Sequence, residues 1–258
     1  MVNTLSDIQS ILNKIKEIET MPIKSEYKYD GKRVPRVTEI LSSMVANNSL
    51  LSWANSLGFK RVSYSKYIRD VADKGTFSHM AIERFIKDGI TPYTDSFTYP
   101  PQSYSVIEST FNAFMNWWNM MHEKYKKIEL VYSEETLICE YFGGTCDCVL
   151  KVDGKYWLID YKTSNHMNYK YVLQLAAYRY MLKKLKNIDV SVCMVLRLDK
   201  TNSQYYTYEL HMNNDEHKMF VDDCLETFFA LVLGFNMRSS TTKQYNNIFK
   251  DEIKATIL

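Results

Sequence analysis

Asp160-Tyr161-Lys162 places a carboxylate and an ammonium group two residues apart. On a β-strand that spacing returns both to one face, about 6.5 Å apart. A second acid enters through Asp153-Gly154, the strongest short-range signal for a two-residue type I′ hairpin. If that turn forms, Val152 faces Lys155, Leu150 faces Trp157, Cys148 faces Ile159 and Asp147 faces Asp160. Directly opposed residues lie about 5 Å apart at Cβ. Two carboxylates so placed repel each other. A hard divalent cation between them reverses the sign, because such ions take one or two carboxylates together with phosphate oxygens and water. A bound cation polarises a phosphoryl oxygen and lowers the pKa of water, and a lysine beside it offsets the charge that builds up. The chemistry expected of Asp147, Asp160 and Lys162 is therefore phosphodiester hydrolysis. An Asp-x-Lys alone would be read as ordinary charges on an exposed strand. The opposed Asp147 and the apolar run Tyr156–Ile159 leading into Asp160 argue for more.

The segment GGTCDCVLKVDGKYWLIDYKTS, followed by QLAAY, resembles the RecB-like branch of the PD-(D/E)XK nuclease superfamily. Asp147 matches the first acid of that family, Asp160 and Lys162 its strand motif, and Gln174 and Tyr178 its helix motif. Upstream, GTFSHMAIERF is similar to the branch's histidine helix, with His79 at the histidine position, and VPRVTEIL is similar to a segment near the start of phage members. The resemblance runs from about Val34 to Leu210. Cys146 stands where the naming proline would be, a proline this branch commonly lacks. The resemblance implies a restriction-endonuclease-like core and catalytic residues Asp147, Asp160 and Lys162. It implies metal contacts from His79, Asp147, Asp160 and Tyr161, with Mg²⁺ or Mn²⁺ as cofactor. Gln174 and Tyr178 are expected to border the site and to contact phosphate or the catalytic lysine.

His79 and Glu83 are four apart and share a helix face. Glu83 is read as an acid that orients the histidine or the incoming strand, although spacing alone also fits a surface pair. A histidine ligand favours Mn²⁺ relative to Mg²⁺. Phe59–Asp70 interleaves Lys60, Arg61, Lys66 and Arg69 with Tyr64 and Tyr67, so Lys60, Arg61 and Tyr64 are candidates for a single-strand track. A helix with a solvated basic face explains the same pattern. Cys146 and Cys148 flank Asp147 and should both point to the opposite face as small core residues. Relatives with an iron–sulfur cluster use one early and three late cysteines. Cys139, Cys146, Cys148, Cys193 and Cys224 do not repeat that layout, so no cluster is expected.

These residues need elements to hold them. Ser6–Thr20 reads as an amphipathic helix, Asp30-Gly31 with Lys32–Arg36 as a loop, and Val37 to about Lys87 as helical. Tyr93–Gln102 is a proline-marked loop. Tyr104–Lys126 forms a helix whose stripe of Ile107, Phe111, Phe114, Trp118 and Met121 is core. Strands are expected over Leu130–Tyr141, Thr145–Val152, Lys155–Tyr161, Val190–Leu198 and Gln204–Leu210, with a helix over Tyr169–Lys186. A final helix runs from about Asn214 to Leu233 with Gly234 placed to end it, and Phe249–Leu258 forms a short terminal helix. The order predicts an α/β fold: a central mixed β-sheet flanked by helices, with a helical N-terminal elaboration. One domain over 1–258 is expected, with 1–125 mainly helical, 126–212 the catalytic sheet and 213–258 a helix and tail.

The 258 residues are 46% hydrophobic, enough for a real core. Thirty-two Lys and Arg against 30 Asp and Glu give a net charge of +2, so any DNA path must come from local clustering. Five cysteines and a start without a secretory pattern suggest a reducing, cytoplasmic setting, a bacterial host cell if the chain is phage-encoded. The longest apolar run, around Phe228–Phe235, is too short to span a bilayer. The expected activity is trimming of DNA ends or single strands in replication, recombination or repair, with a replication or recombination protein as an open partner. A flap or junction endonuclease and a silent DNA-binding module are the alternatives. The intact set of acids and lysine argues against the silent one.

Overall fold

A computed structural model describes residues 26–45, 64–95, 97 and 99–248. The helices expected over Ser6–Thr20 and Phe249–Leu258 lie outside them. In chain order the elements are β1 (Lys28–Tyr29), β2 (Lys32–Arg33), α1 (Val37–Met44), α2 (Tyr64–Asp88), α3 (Tyr104–Lys124), β3 (Ile128–Ile138), β4 (Gly143–Val152), β5 (Lys155–Lys162), α4 (Tyr169–Lys186), β6 (Val190–Leu198), β7 (Tyr205–His211) and α5 (Asp215–Ile248).

The main sheet is mixed and runs β3-β4-β5-β6-β7. Hairpins make β3–β4, β4–β5 and β6–β7 antiparallel, while α4 crosses over so that β5 and β6 run parallel. Two apolar layers cover it. Helices α1, α4 and α5 bury one face around Leu158, Val195, Leu175, Tyr178 and Phe228. Helices α2 and α3 bury the other around Ile159, Met194, Phe77, Phe114 and Trp117. The α3 stripe is core as expected, with Trp117 taking the fully buried place and Trp118 lying beside it.

Turn chemistry sets the register. Asp153 and Gly154 have φ of 44° and 83°, the two positive values a type I′ turn demands, and Val152 pairs Lys155 as the turn requires. Asn168 caps α4 by accepting a hydrogen bond from the Lys170 amide at 3.0 Å, and Asn187 closes the helix in the left-handed conformation.

Three expectations are corrected. Asp30-Gly31 is not merely a loop. Its φ values of 47° and 74° make the same type I′ turn, joining the short hairpin β1–β2. Gly234 does not end α5, which continues to Ile248. It has no positive φ and lies inside the helix beside the flexible end of Met44 from α1, so it does not act as a cap. Cys146 and Cys148 are both buried, but they belong to different layers, Cys146 with the α4 side and Cys148 with the α2–α3 side. Strand alternation is broken at Asp147 between them. No helix of the described residues is long and apolar enough to cross a membrane.

Candidate active site

The β4–β5 ladder holds its register down to Cys148–Ile159, one pair short of Asp147 and Asp160. On the other side, β3 pairs Ser133 with Cys148 and Glu135 with Cys146 but passes over Glu134 and Asp147. The sheet therefore opens at Asp147. Its carboxylate takes over the lost pairing, accepting the Tyr161 amide at 2.7 Å through Oδ2. That bond ties the first acid to the backbone between Asp160 and Lys162.

Two further groups converge on Asp147. Helix α2 brings His79, whose Nδ1 lies 3.6 Å from Asp147 Oδ2, and β3 brings Glu134, whose Oε1 lies 3.7 Å from the same nitrogen. Ligand atoms of His79, Glu134 and Asp147 all fall within 4.8 Å of one another. Glu134 has φ of 52°, a left-handed conformation that costs a non-glycine residue of order 1–3 kcal/mol and that local structure must hold in place. Glu134 was not legible in the sequence. The run Ser133–Thr136 reads as plain strand, and nothing in it signals a positive φ.

Asp160 is 1% exposed and contacts Lys162 Nζ at 2.5 Å through Oδ2, yet neither carboxylate oxygen has an aligned hydrogen bond. Lys162 lies over the Tyr171 ring at 5.1 Å. Burial pushes the Asp160 pKa up to about 6 and raises that of Asp147, with Glu134 adding to the latter. For Lys162, burial acts downward, but Asp160 and Asp147 outweigh it and keep the ammonium charged. For His79, burial again acts downward, and Asp147 and Glu134 outweigh it, raising the pKa to about 9. Buried acids gathered in this way are unfavourable without a cation. The carboxylates of Glu134 and Asp147, the unpartnered Oδ1 of Asp160 and one imidazole are a donor set that fits a hard divalent ion such as Mg²⁺ or Mn²⁺.

The other expected residues fall in different places. Tyr161 gives its backbone amide to Asp147, while its ring packs edge-on between His79 at 5.8 Å and Phe114 at 5.9 Å. Gln174 and Tyr178 are buried on α4, with the amide of Gln174 donating to the Tyr178 hydroxyl at 3.4 Å. Tyr178 feels both Asp147 and Asp160, so it borders the acids, but the ring beside Lys162 is that of Tyr171. Gly144 explains the paired glycines before Asp147. A Cβ there would stand 2.8 Å from the Tyr178 hydroxyl and closer still to its ring. Glu83 lines a groove of about 370 Å³ with Ala72, Gly75, Thr76, His79, Met80 and Glu134, and is paired there with Lys87 at 2.6 Å. Lys60 and Arg61 lie outside the described residues, and of Tyr64 only the backbone, at the start of α2, is described. A larger cavity of about 590 Å³ lies at the opposite end of β5, by Lys155 and Trp157, away from the acids.

None of the curated proteins matches the chain. Among solved structures, it is similar to an alkaline exonuclease from Laribacter hongkongensis, with 10% identity over 81% of this chain and 94% of that one and a TM-score of 0.35. It is also similar to a phage-related exonuclease from Haemophilus somnus 129PT, with 10% identity over 80% and 96% and a TM-score of 0.33. Family membership rests instead on the sequence, which matches one family from residue 58 to residue 233. That stretch holds the whole of the centre on α2, β3, β4 and β5, and by that match the chain belongs to the PD-(D/E)XK nuclease superfamily.

Proposed function

We propose that this chain is a divalent-metal-dependent deoxyribonuclease that hydrolyses phosphodiester bonds at DNA ends or in single strands. One observation carries the reading. The opening of the sheet at Asp147 brings His79, Glu134 and Asp147 within ligand distance of one another, with the buried Asp160–Lys162 ion pair beside them and Asp160 Oδ1 left without a partner.

Asp147, Asp160 and His79 would hold Mg²⁺ or Mn²⁺, with Glu134 as a further ligand on the β3 side and the Tyr161 backbone beside them. When bound, such an ion supplies polarisation of a phosphoryl oxygen and a water of lowered pKa. The chain's own groups do the rest. Lys162, held charged by its two acids, orients the attacking water and offsets the negative charge that grows on the phosphoryl group. Asp147 fixes the end of β5 through the Tyr161 amide, so the acid and the lysine keep their spacing. Tyr178 and Gln174 wall the acids off on the α4 side, which raises the worth of every charge in the patch.

Cleavage of end-labelled single- and double-stranded DNA with Mg²⁺, Mn²⁺ or EDTA tests the proposal, comparing the wild type with Lys162→Ala. Metal-dependent degradation that falls by at least about a hundredfold in the variant is expected. Product lengths then separate end-trimming from internal cutting. Absence of cleavage with either metal would overturn the reading.

A further inference from the structure

The acids Glu134, Asp147 and Asp160 lie on β3, β4 and β5, and Asp160 is paired with the apolar Val195 on β6. Two residues further along β5 a second row begins: Lys162 pairs with Arg197 on β6, and Arg197 pairs with Tyr206 on β7. Directly paired residues share a sheet face, so Lys162, Arg197 and Tyr206 project on one side, each about 4.8 Å from the next at the backbone. A cationic row thus begins on β5, next to the acids.

Arg197 is poorly served by the protein alone. It is 9% exposed, and a guanidinium offers five N–H donors. Nη1 makes a long hydrogen bond of 3.4 Å to the Ser164 carbonyl and lies 3.7 Å from Asp199, while Nε is buried without a partner. A guanidinium that served only as a staple would be expected to grip a carboxylate through two aligned bonds. Leaving a buried donor unmade is costly unless something completes it. The flat face of Arg197 lies 3.9 Å from the centroid of the Tyr206 ring, and Tyr206 remains 38% exposed, held by its hydroxyl donating to Gln204 at 2.9 Å. A planar cation whose donors are incompletely used, stacked on an exposed aromatic ring one strand from Lys162, matches one phosphate and one base of a nucleotide strand.

We propose that Arg197 and Tyr206 form a nucleotide subsite next to the scissile position. Arg197 takes the phosphate adjacent to the one hydrolysed, and Tyr206 stacks a neighbouring base. The DNA strand passes from the acids to the cationic row, reaching β6 and β7 as a single strand. This rests on the nuclease reading and adds the direction in which the strand runs over the sheet.

Fluorescence anisotropy with a labelled single-stranded oligonucleotide tests it, in Ca²⁺ and over a range of salt concentrations. Arg197→Met should lower the slope of log affinity against log salt by about 0.7, the loss of one phosphate contact on a single strand. Tyr206→Ala, at an exposed position that does not threaten folding, should weaken binding by roughly five- to a hundredfold. Arg197→Lys should restore the salt slope without restoring full affinity. An Arg197→Met protein that melts lower but keeps its slope, together with unchanged affinity in Tyr206→Ala, would overturn the subsite. If DNA is still cut with metal in that case, the nuclease reading stands. A wild type that neither binds nor cuts DNA overturns both.

Discussion

Asp147 does two jobs with one carboxylate. It takes the Tyr161 amide that strand pairing would have used, and it faces His79 and Glu134. Glu134 is the residue whose role reading along the chain could not supply, because a positive φ in mid-strand is a product of the surrounding sheet. If it is a ligand, Glu134→Gln should weaken Mn²⁺ binding to the DNA-free protein by at least about tenfold, as read by electron paramagnetic resonance. Unchanged affinity would leave it a bystander. The shifted acids and histidine also make a stability prediction. His79 has a folded pKa raised to about 9 from 6.5, so its contribution is complete below 6.5 and is lost as pH rises to 9. Asp160, raised to about 6 from 3.8, acts in the same sense at lower pH, since its proton too is held more tightly in the folded state. In EDTA the melting temperature should therefore fall by several degrees between pH 5 and pH 9.5, and saturating Mn²⁺ should flatten that fall. A metal-free melting temperature that rises across this range would contradict the electrostatics of the site.

At the scale of elements, what brings the groups together is a set of close approaches and one register. Gly144 lets β4 pass under Tyr178, with no room for a methyl group. Gly144→Ala should displace the ring, cost about 1–3 kcal/mol of stability and lower activity. Adding Tyr178→Ala should give less than the sum of the two single losses, a coupling that denaturant titration of the four proteins would show. Additive losses would mean that the contact is not what makes glycine necessary there. The β4–β5 register was legible because Asp153-Gly154 admits few backbone conformations and alternation does the rest. The same dipeptide at Asp30-Gly31 makes β1–β2, yet two-residue strands leave no alternating run to read on either side. Gly234 misled for a related reason. A glycine after an apolar run fits a cap, but it fits the interior of a longer helix too, and only the backbone conformation decides between them.

Over the whole molecule, a net charge of +2 conceals a division across the sheet, with acids on β3–β5 and cations from Lys162 to Arg197. Local order rather than total charge is what would guide a strand. Helix α5 runs on past Gly234, and Asn236 to Tyr245 are exposed, so these turns contribute little to the core. Met237→Ala, on one of these exposed turns, should melt within about 2 °C of the wild type, by circular dichroism, since surface substitutions away from packing change stability little. A larger fall would show that the last turns are held by contacts of their own. The mixed sheet, its flanking helices and the hairpin that brings Asp147 near Asp160 and Lys162 were determined by the sequence itself, because hydrophobic period and turn chemistry act between near neighbours along the chain. Tertiary structure alone decided that Glu134 joins His79, that Tyr171 rather than Tyr178 flanks Lys162, and that Arg197 lies one strand away from it. Each of those contacts joins residues from separate elements, and their distance depends on how helices and strands pack, which no local pattern encodes.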